Sequence, residues 1–286
     1  MKRTDTAADD TAPPVSSRRV ALSALGGLGA LALWAARGSG AAVAATGAAV
    51  DAGTEAALDK LLATTPAACL AVAEEVEGPY PLRAILSNRA LQRSDMTEGK
   101  TGVALALRIK LVDINNACAP IAGASVYLWH CDKDGRYSGY EANAQAGQAG
   151  QTYLRGVQVS DADGGVTFKT IVPGWYAGRI THMHAMVFLA GSSLGSASTA
   201  TATTQFAFPP AAMSEVYDSP LYKARGQNRS VASFADDSIF SDGTGTEMVA
   251  MAGSASDGYL GAIVVGVDPT HTSSGRGGRR PPRPLI

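Results

Sequence analysis

Val103-Ala104-Leu105-Ala106-Leu107-Arg108-Ile109-Lys110-Leu111-Val112 is the stretch that decides the fold. Val103, Leu105, Leu107, Ile109 and Leu111 alternate with Ala104, Ala106, Arg108, Lys110 and Val112. A period of two places the first set on one face of a strand, because successive side chains point to opposite sides. Working outward, Val126-Tyr127-Leu128-Trp129 reads as a second strand, closed by the turn Asp132-Lys133-Asp134-Gly135. Val157 to Val159 leads through Asp161-Ala162-Asp163-Gly164-Gly165 into Val166 to Ile171, a hairpin pattern, and Pro173-Gly174 marks another turn. His184 to Leu189, Thr203 to Phe208 and Tyr259 to Val267 complete the apolar runs. Upstream, Ala56 to Leu62 has a short helical pattern, and Ala190 to Ala202 is Ser/Ala/Gly/Thr-rich loop sequence. Short strands separated by turn signals predict a mainly β chain, an antiparallel β-sandwich with short peripheral helices and long loops.

The chain has 286 residues, 46% of them apolar, enough for a substantial core. A formal net charge of -1 argues against a general nucleic-acid binder, which needs a basic surface to displace counterions. Ser17-Arg18-Arg19, the Gly-interrupted apolar run Val20 to Ala36 and the small-residue pattern Ala42-Val43-Ala44 read as a twin-arginine signal. The alternative is a membrane anchor, which Gly26, Gly27, Gly29 and Arg37 weaken. The expected organisation is a signal over 1–44, a linker with a peripheral helix over 45–68, the sandwich domain over 69–270, and a disordered basic tail over 271–286. The mature protein is then exported, periplasmic or extracellular, with no stable membrane insertion. In an oxidising compartment two of Cys69, Cys118 and Cys131 can pair. Cys69–Cys118 is the pairing favoured, with the choice left open by the sequence.

Histidine is scarce, with four in the chain, and two of them flank Met183. On a strand, His182 and His184 point to the same side, so both imidazoles can reach one ion. A polar pair on a solvated strand face fits that spacing equally well. Tyr176 stands six residues before His182, and Tyr137 follows the turn Asp134-Gly135-Arg136. A free phenol titrates near ~10, so only a strong Lewis acid holds both as phenolates at neutral pH. The commoner role for each tyrosine is packing at a strand end.

Several ordered segments resemble one family. They are Glu77-Gly78-Pro79-Tyr80, Leu128-Trp129-His130-Cys131-Asp132, Gly135-Arg136-Tyr137-Ser138, Thr170 to Tyr176, Arg179-Ile180-Thr181-His182-Met183-His184 and Thr204-Gln205. Together they are similar to the intradiol ring-cleavage dioxygenases, which include the catechol 1,2- and protocatechuate 3,4-dioxygenases. The resemblance implies that Tyr137, Tyr176, His182 and His184 hold Fe(3+). It also implies that Arg179 stabilises charge on the substrate ring and that Gln205 positions the reacting group. Tyr176 would take up a substrate proton, and Tyr80 and Pro79 would contact the substrate. The implied partners are a small aromatic diol and dioxygen, and the implied product is a muconate-type diacid. Tyr140 is a rival to Tyr137, His130 is expected in a structural role, and His271 is expected to play no part.

Met183 and Ala185 depart from the residues usual in the family, and the interval from Tyr176 to His182 is short, which implies a more open pocket. Two other classes compete with this reading. A transthyretin-like binding module would share the strand, Pro-Gly turn and tyrosine of Thr167 to Tyr176. A zinc hydrolase would use the same histidines but needs a third His or carboxylate and leaves both tyrosines unexplained.

Overall fold

A computed structural model of the chain describes residues 50–65, 69–78, 80–81, 88–141, 146–192 and 199–279. The expected signal over 1–44 lies outside them.

Within that structure β2 (Ala104–Asp113) follows the alternation of its sequence. Leu105, Leu107, Ile109 and Leu111 are buried, while the residues between them are exposed or half-buried up to Lys110. β2 is the hub of one sheet. It pairs antiparallel with β6 (Gly165–Ile171) and with the two residues of β3 (Ala119–Pro120). On its other edge it runs parallel to β10 (Gly258–Val267), which pairs antiparallel with β9 (Ala250–Ser254). The second sheet is antiparallel throughout, in the order β5 (Arg155–Val159), β4 (Ser125–Trp129), β7 (His182–Phe188) and β8 (Ala202–Ala207).

The inner faces meet in the main core, where Leu107 and Ile109 of β2 join Val126 and Leu128 of β4 and Met183, Ala185 and Val187 of β7. Burying each such aliphatic side chain is worth roughly 1.5–3 kcal/mol, so this interface carries the fold. The expected mainly β sandwich with short helices is therefore the observed architecture, with the β2–β10 pair as its one parallel contact among the described strands.

α1 (Ala52–Thr64) covers the outer side of β2, starting on Asp51, whose carboxylate accepts from Thr54 N at 2.9 Å. Arg108 ties it down through Glu55 at 3.7 Å and Asp59 at 3.5 Å. A Cys69–Cys118 disulfide fixes the chain beyond α1 to the turn after β2. Closing such a loop stabilises a domain by roughly 2–4 kcal/mol. Cys131 is free and buried.

Two segments differ from expectation. α2 (Pro210–Asp218) is a helix with proline at its first position, where the missing N–H costs nothing. The other difference begins at residue 271, expected as the start of a disordered tail but built into the fold. His271 Nε2 meets Glu74 Oε2 at 2.9 Å, Ser273 N donates to Ala200 O at 2.8 Å, and β11 (Arg276–Arg279) pairs with β1 (Glu74–Val76). The Gly/Arg composition of this stretch carries no β signal; the open edge of β1 supplies the partner. Among the described residues no helix is long and apolar enough to cross a membrane.

Candidate metal centre

All seven residues of β7 are buried, because the outer face of its sheet is covered as well as the inner one. Met183, Ala185 and Val187 face the main core. Met186 and Phe188 join a second cluster with Tyr127, Trp129 and Tyr137. His182 and His184 share that second face by the strand period. The His-Met-His segment is thus not a solvated polar pair.

On that face four donor atoms converge. Tyr137 Oη lies 3.1 Å from His184 Nε2, and Tyr176 Oη lies 3.1 Å from His182 Nε2. The two imidazole Nε2 atoms are 3.2 Å apart. His182 Nδ1 must donate to Ile180 O, at 2.6 Å, because a carbonyl can only accept. That contact fixes the tautomer and leaves the Nε2 lone pair facing the other donors. The His184 ring lies on Trp129, with centroids 4.9 Å apart and planes 11° apart, and Trp129 lies in turn on Tyr127. Its Nδ1 is buried without a hydrogen-bond partner.

Burial makes every one of these groups neutral in the absence of a cation. It pushes the Tyr137 phenol well above its ordinary range, reinforced by the neighbouring Tyr176. Burial also raises Tyr176 to about 12, opposed by the Arg179 charge. His182 is lowered to about 3 by burial and by Arg179, and His184 falls well below its usual value through burial, His182 and Arg179. Two neutral imidazoles with two phenols in reach are a ready ligand set for a hard, highly charged ion, which alone makes both phenolates favourable. No group of three or more His, Cys, Asp or Glu side chains able to hold a metal occurs among the described residues.

Arg179 and Gln205 flank the donors. Arg179 Nη1 lies 3.5 Å from His182 Nε2, and Arg179 Nη2 donates to Gln205 Oε1 at 2.8 Å. Gln205 Nε2 donates to Val76 O at 3.0 Å. Tyr80 stacks on Tyr137 with ring centroids 4.9 Å apart and meets Tyr140 edge-on. Tyr140 directs its hydroxyl to Pro81 O, and it is Tyr137 that reaches the histidine pair. Pro79 lies outside the described residues. His130 is buried, its nitrogens engaged with Cys131 O and Thr170 Oγ1, a structural role.

Several further residues hold this arrangement, and Asp237 among them carries no signal in the sequence. Asp237 grips Arg179 Nε through both carboxylate oxygens, each at 3.0 Å, and accepts from Ile180 N at 2.7 Å. Burial would raise its carboxyl, but the N–H groups of Ile180 and Ile239 and the Arg179 charge hold it below the ordinary range. Phe240 packs edge-on to His182 and under the Arg179 guanidinium. Tyr217 bonds Thr181 Oγ1, and Tyr222 bonds Val172 O, so both tyrosines buttress the Val172–Thr181 loop. Gly78, at φ +76, lies against the edge of the His184 ring; a Cβ there would stand 2.6 Å from His184 Cε1.

Glu75 and Glu247 are buried nearby, and neither Glu247 oxygen has a hydrogen-bond partner. Burial raises Glu247 from its ordinary 4.5 to about 9, reinforced by Glu75 and Asp242, and raises Glu75 to about 7. The unfolded chain releases the Glu247 proton near 4.5, while the folded chain keeps it until about 9. The folded state therefore binds more protons across that window, and stability falls as pH rises through it. Glu247→Gln is expected to flatten this decline and to gain about 1–3 kcal/mol at pH 8. Thermal melting from pH 5 to 9 checks it, and parallel curves for the two proteins would refute the assignment.

Residues 76–195 match the family model described as Dioxygenase. The fold is similar to an intradiol ring-cleavage dioxygenase from Tetranychus urticae, with a TM-score of 0.61 and 28% identity over 72% of this chain and 98% of that one. It is also similar to a second crystallised dioxygenase, with a TM-score of 0.62 and 26% identity over 73% and 99% of the two chains. Comparison with curated proteins gave no match. The matched segment and the fold around it make this chain similar to the intradiol ring-cleavage dioxygenases.

Proposed function

We propose that the protein is a non-haem ferric dioxygenase that opens a catechol-type ring between its two hydroxyl-bearing carbons, incorporating both atoms of dioxygen into a muconate-type diacid. The observation that carries this reading is the convergence of Tyr137 Oη, Tyr176 Oη, His182 Nε2 and His184 Nε2. The donors fit ferric iron: two phenols that can become anionic, and two imidazoles kept neutral by burial. Bound iron would supply the Lewis acidity that stabilises phenolates and catecholate and primes the ring for dioxygen.

The chain's own residues do the rest. Tyr137 is fully enclosed and serves as a fixed ligand, whereas Tyr176 is less buried and is the phenol able to receive a substrate proton. Arg179 is held rigid by Asp237 and Gln205, and its Nη1 end faces the donors, where it stabilises negative charge on the substrate ring. Gln205 fixes that guanidinium from the β8 side. Tyr80 offers an aromatic wall beside Tyr137, with Pro79 next to it in sequence.

The donor cluster also separates this reading from a binding module, which has no use for two phenols against two imidazoles. A zinc hydrolase leaves the phenols unexplained. Incubating ferric-loaded protein with catechol, with oxygen uptake and product mass followed together, tests the proposal. One dioxygen consumed per diacid formed supports it. No uptake, or cleavage outside the diol to an aldehyde product, contradicts it.

We further propose export by the twin-arginine signal over 1–44. The Cys69–Cys118 bridge supports this, since disulfides persist in oxidising compartments. An N-terminus near Ala45 on the secreted protein is the expected finding, and an intact leader on cytosolic protein would contradict it.

A further inference from the structure

We propose that Arg225 is a positioning residue that locks the two tyrosine-bearing turns against each other. The inference rests on the metal reading for its consequence, though not for its geometry. Arg225 Nε and Nη2 both donate to Trp175 O, at 3.1 and 2.7 Å. Its guanidinium carbon lies 4.1 Å over the centre of the Trp175 ring. The same ring donates from Nε1 to Gly226 O at 2.8 Å. Residues 225 and 226 thus hold Trp175 by its carbonyl, its ring face and its ring N–H, one residue before Tyr176.

The second turn meets the first through close backbone contacts at two glycines. Gly174 N donates to Asp132 O at 3.1 Å, and a Cβ on Gly174 would stand 2.3 Å from Lys133 O. At Gly135, two residues before Tyr137, a Cβ would stand 2.5 Å from Trp175 O and 3.2 Å from Arg225 Nη2. The Trp175 carbonyl is therefore the shared point of both turns, and Arg225 closes it from outside. A planar guanidinium suits this place: it sends two N–H groups to one oxygen while its charge sits over the indole of the same residue, a combination that a point-like ammonium does not match. Loss of the clamp frees both phenols to drift, and drift of about an ångström is enough to disable a site of this kind.

Hydrogen exchange on metal-free Arg225→Ala and Arg225→Lys proteins tests the geometry, and ferric loading of the same samples tests its consequence. Segments 133–138 and 173–179 are expected to exchange about tenfold faster in Arg225→Ala, less in Arg225→Lys, with β4 and β7 unchanged. After loading, ferric affinity falls about 10–100-fold and the phenolate charge-transfer band shifts from its wild-type position. Unchanged exchange in both turns, or faster exchange spread evenly over the sandwich, would overturn the positioning role. Should the wild type take no ferric iron, the metal reading fails by itself, while the exchange result still decides what Arg225 does.

Discussion

Tyr137→Phe and His184→Ala are each expected to abolish ring cleavage and to weaken ferric binding by more than the roughly 10–100-fold lost when an outer partner is removed. Tyr137→Phe is the cleaner of the two. The phenol ring stays stacked on Tyr80 and only the hydroxyl at 3.1 Å from His184 Nε2 disappears. With the volume unchanged, the fold should survive, so any loss of iron is due to the missing oxygen donor. His184→Ala also removes a ring stacked on Trp129, so a fall in melting temperature accompanies the loss of metal. Iron content and oxygen uptake on the same preparation check both. Full activity with iron retained in either variant would show that the ligand set is wrong.

Asp237→Asn should leave iron in place but cripple turnover. The carboxylate is fully buried and spans Arg179 Nε with both oxygens. The amide keeps the shape and can still accept from Ile180 N, but it leaves the Arg179 charge uncompensated. Removing one partner of a buried pair costs roughly 3–5 kcal/mol, and turnover should drop about 10–100-fold as Arg179 loses its orientation. The pH dependence has a definite sign. Asp237 is held below its ordinary 3.8, so its contribution is complete above that value and is lost as pH falls through the lower folded value. The variant therefore loses most stability near neutrality, and the two proteins converge in acid. A neutral-pH melting point and turnover equal to wild type would remove the assigned role.

The sandwich was legible because burial on one face leaves a period of two in the sequence, as in Leu105, Leu107, Ile109 and Leu111. Residues 182 and 184 were legible as a pair because side chains two apart on a strand share a face, even though β7 is buried on both faces. What period and composition could not reveal is contact between distant segments. Nothing in Glu74-Glu75-Val76 marks a strand, yet it forms β1 because β11 returns from the C-terminal segment to meet it. The weak β-formers of Ala250–Ser254 become β9 by pairing with β10. α2 had a usable signal, since proline at the first helical position is followed by Met213, Val216 and Tyr217 at three- and four-residue spacing, all buried. Asp237 and Glu247 had none. Both sit in Ser/Asp/Gly/Thr-rich sequence that looks solvated, and only distant partners enclose them: Arg179 and Ile180 for Asp237, and the Ala207 end of β8 for the Glu247 backbone. The supports of the site therefore stayed hidden while its ordered donor motifs did not.

The most direct measurement is the visible spectrum of ferric-loaded protein, with metal content on the same sample, before and after anaerobic addition of catechol. A phenolate charge-transfer band that moves to longer wavelength as catechol binds is the predicted result, since it requires phenol ligands and a coordination position open to substrate. Iron-loaded protein without such a band, or a band indifferent to catechol, would contradict the assignment of Tyr137, Tyr176, His182 and His184 as the centre of a ring-cleaving site.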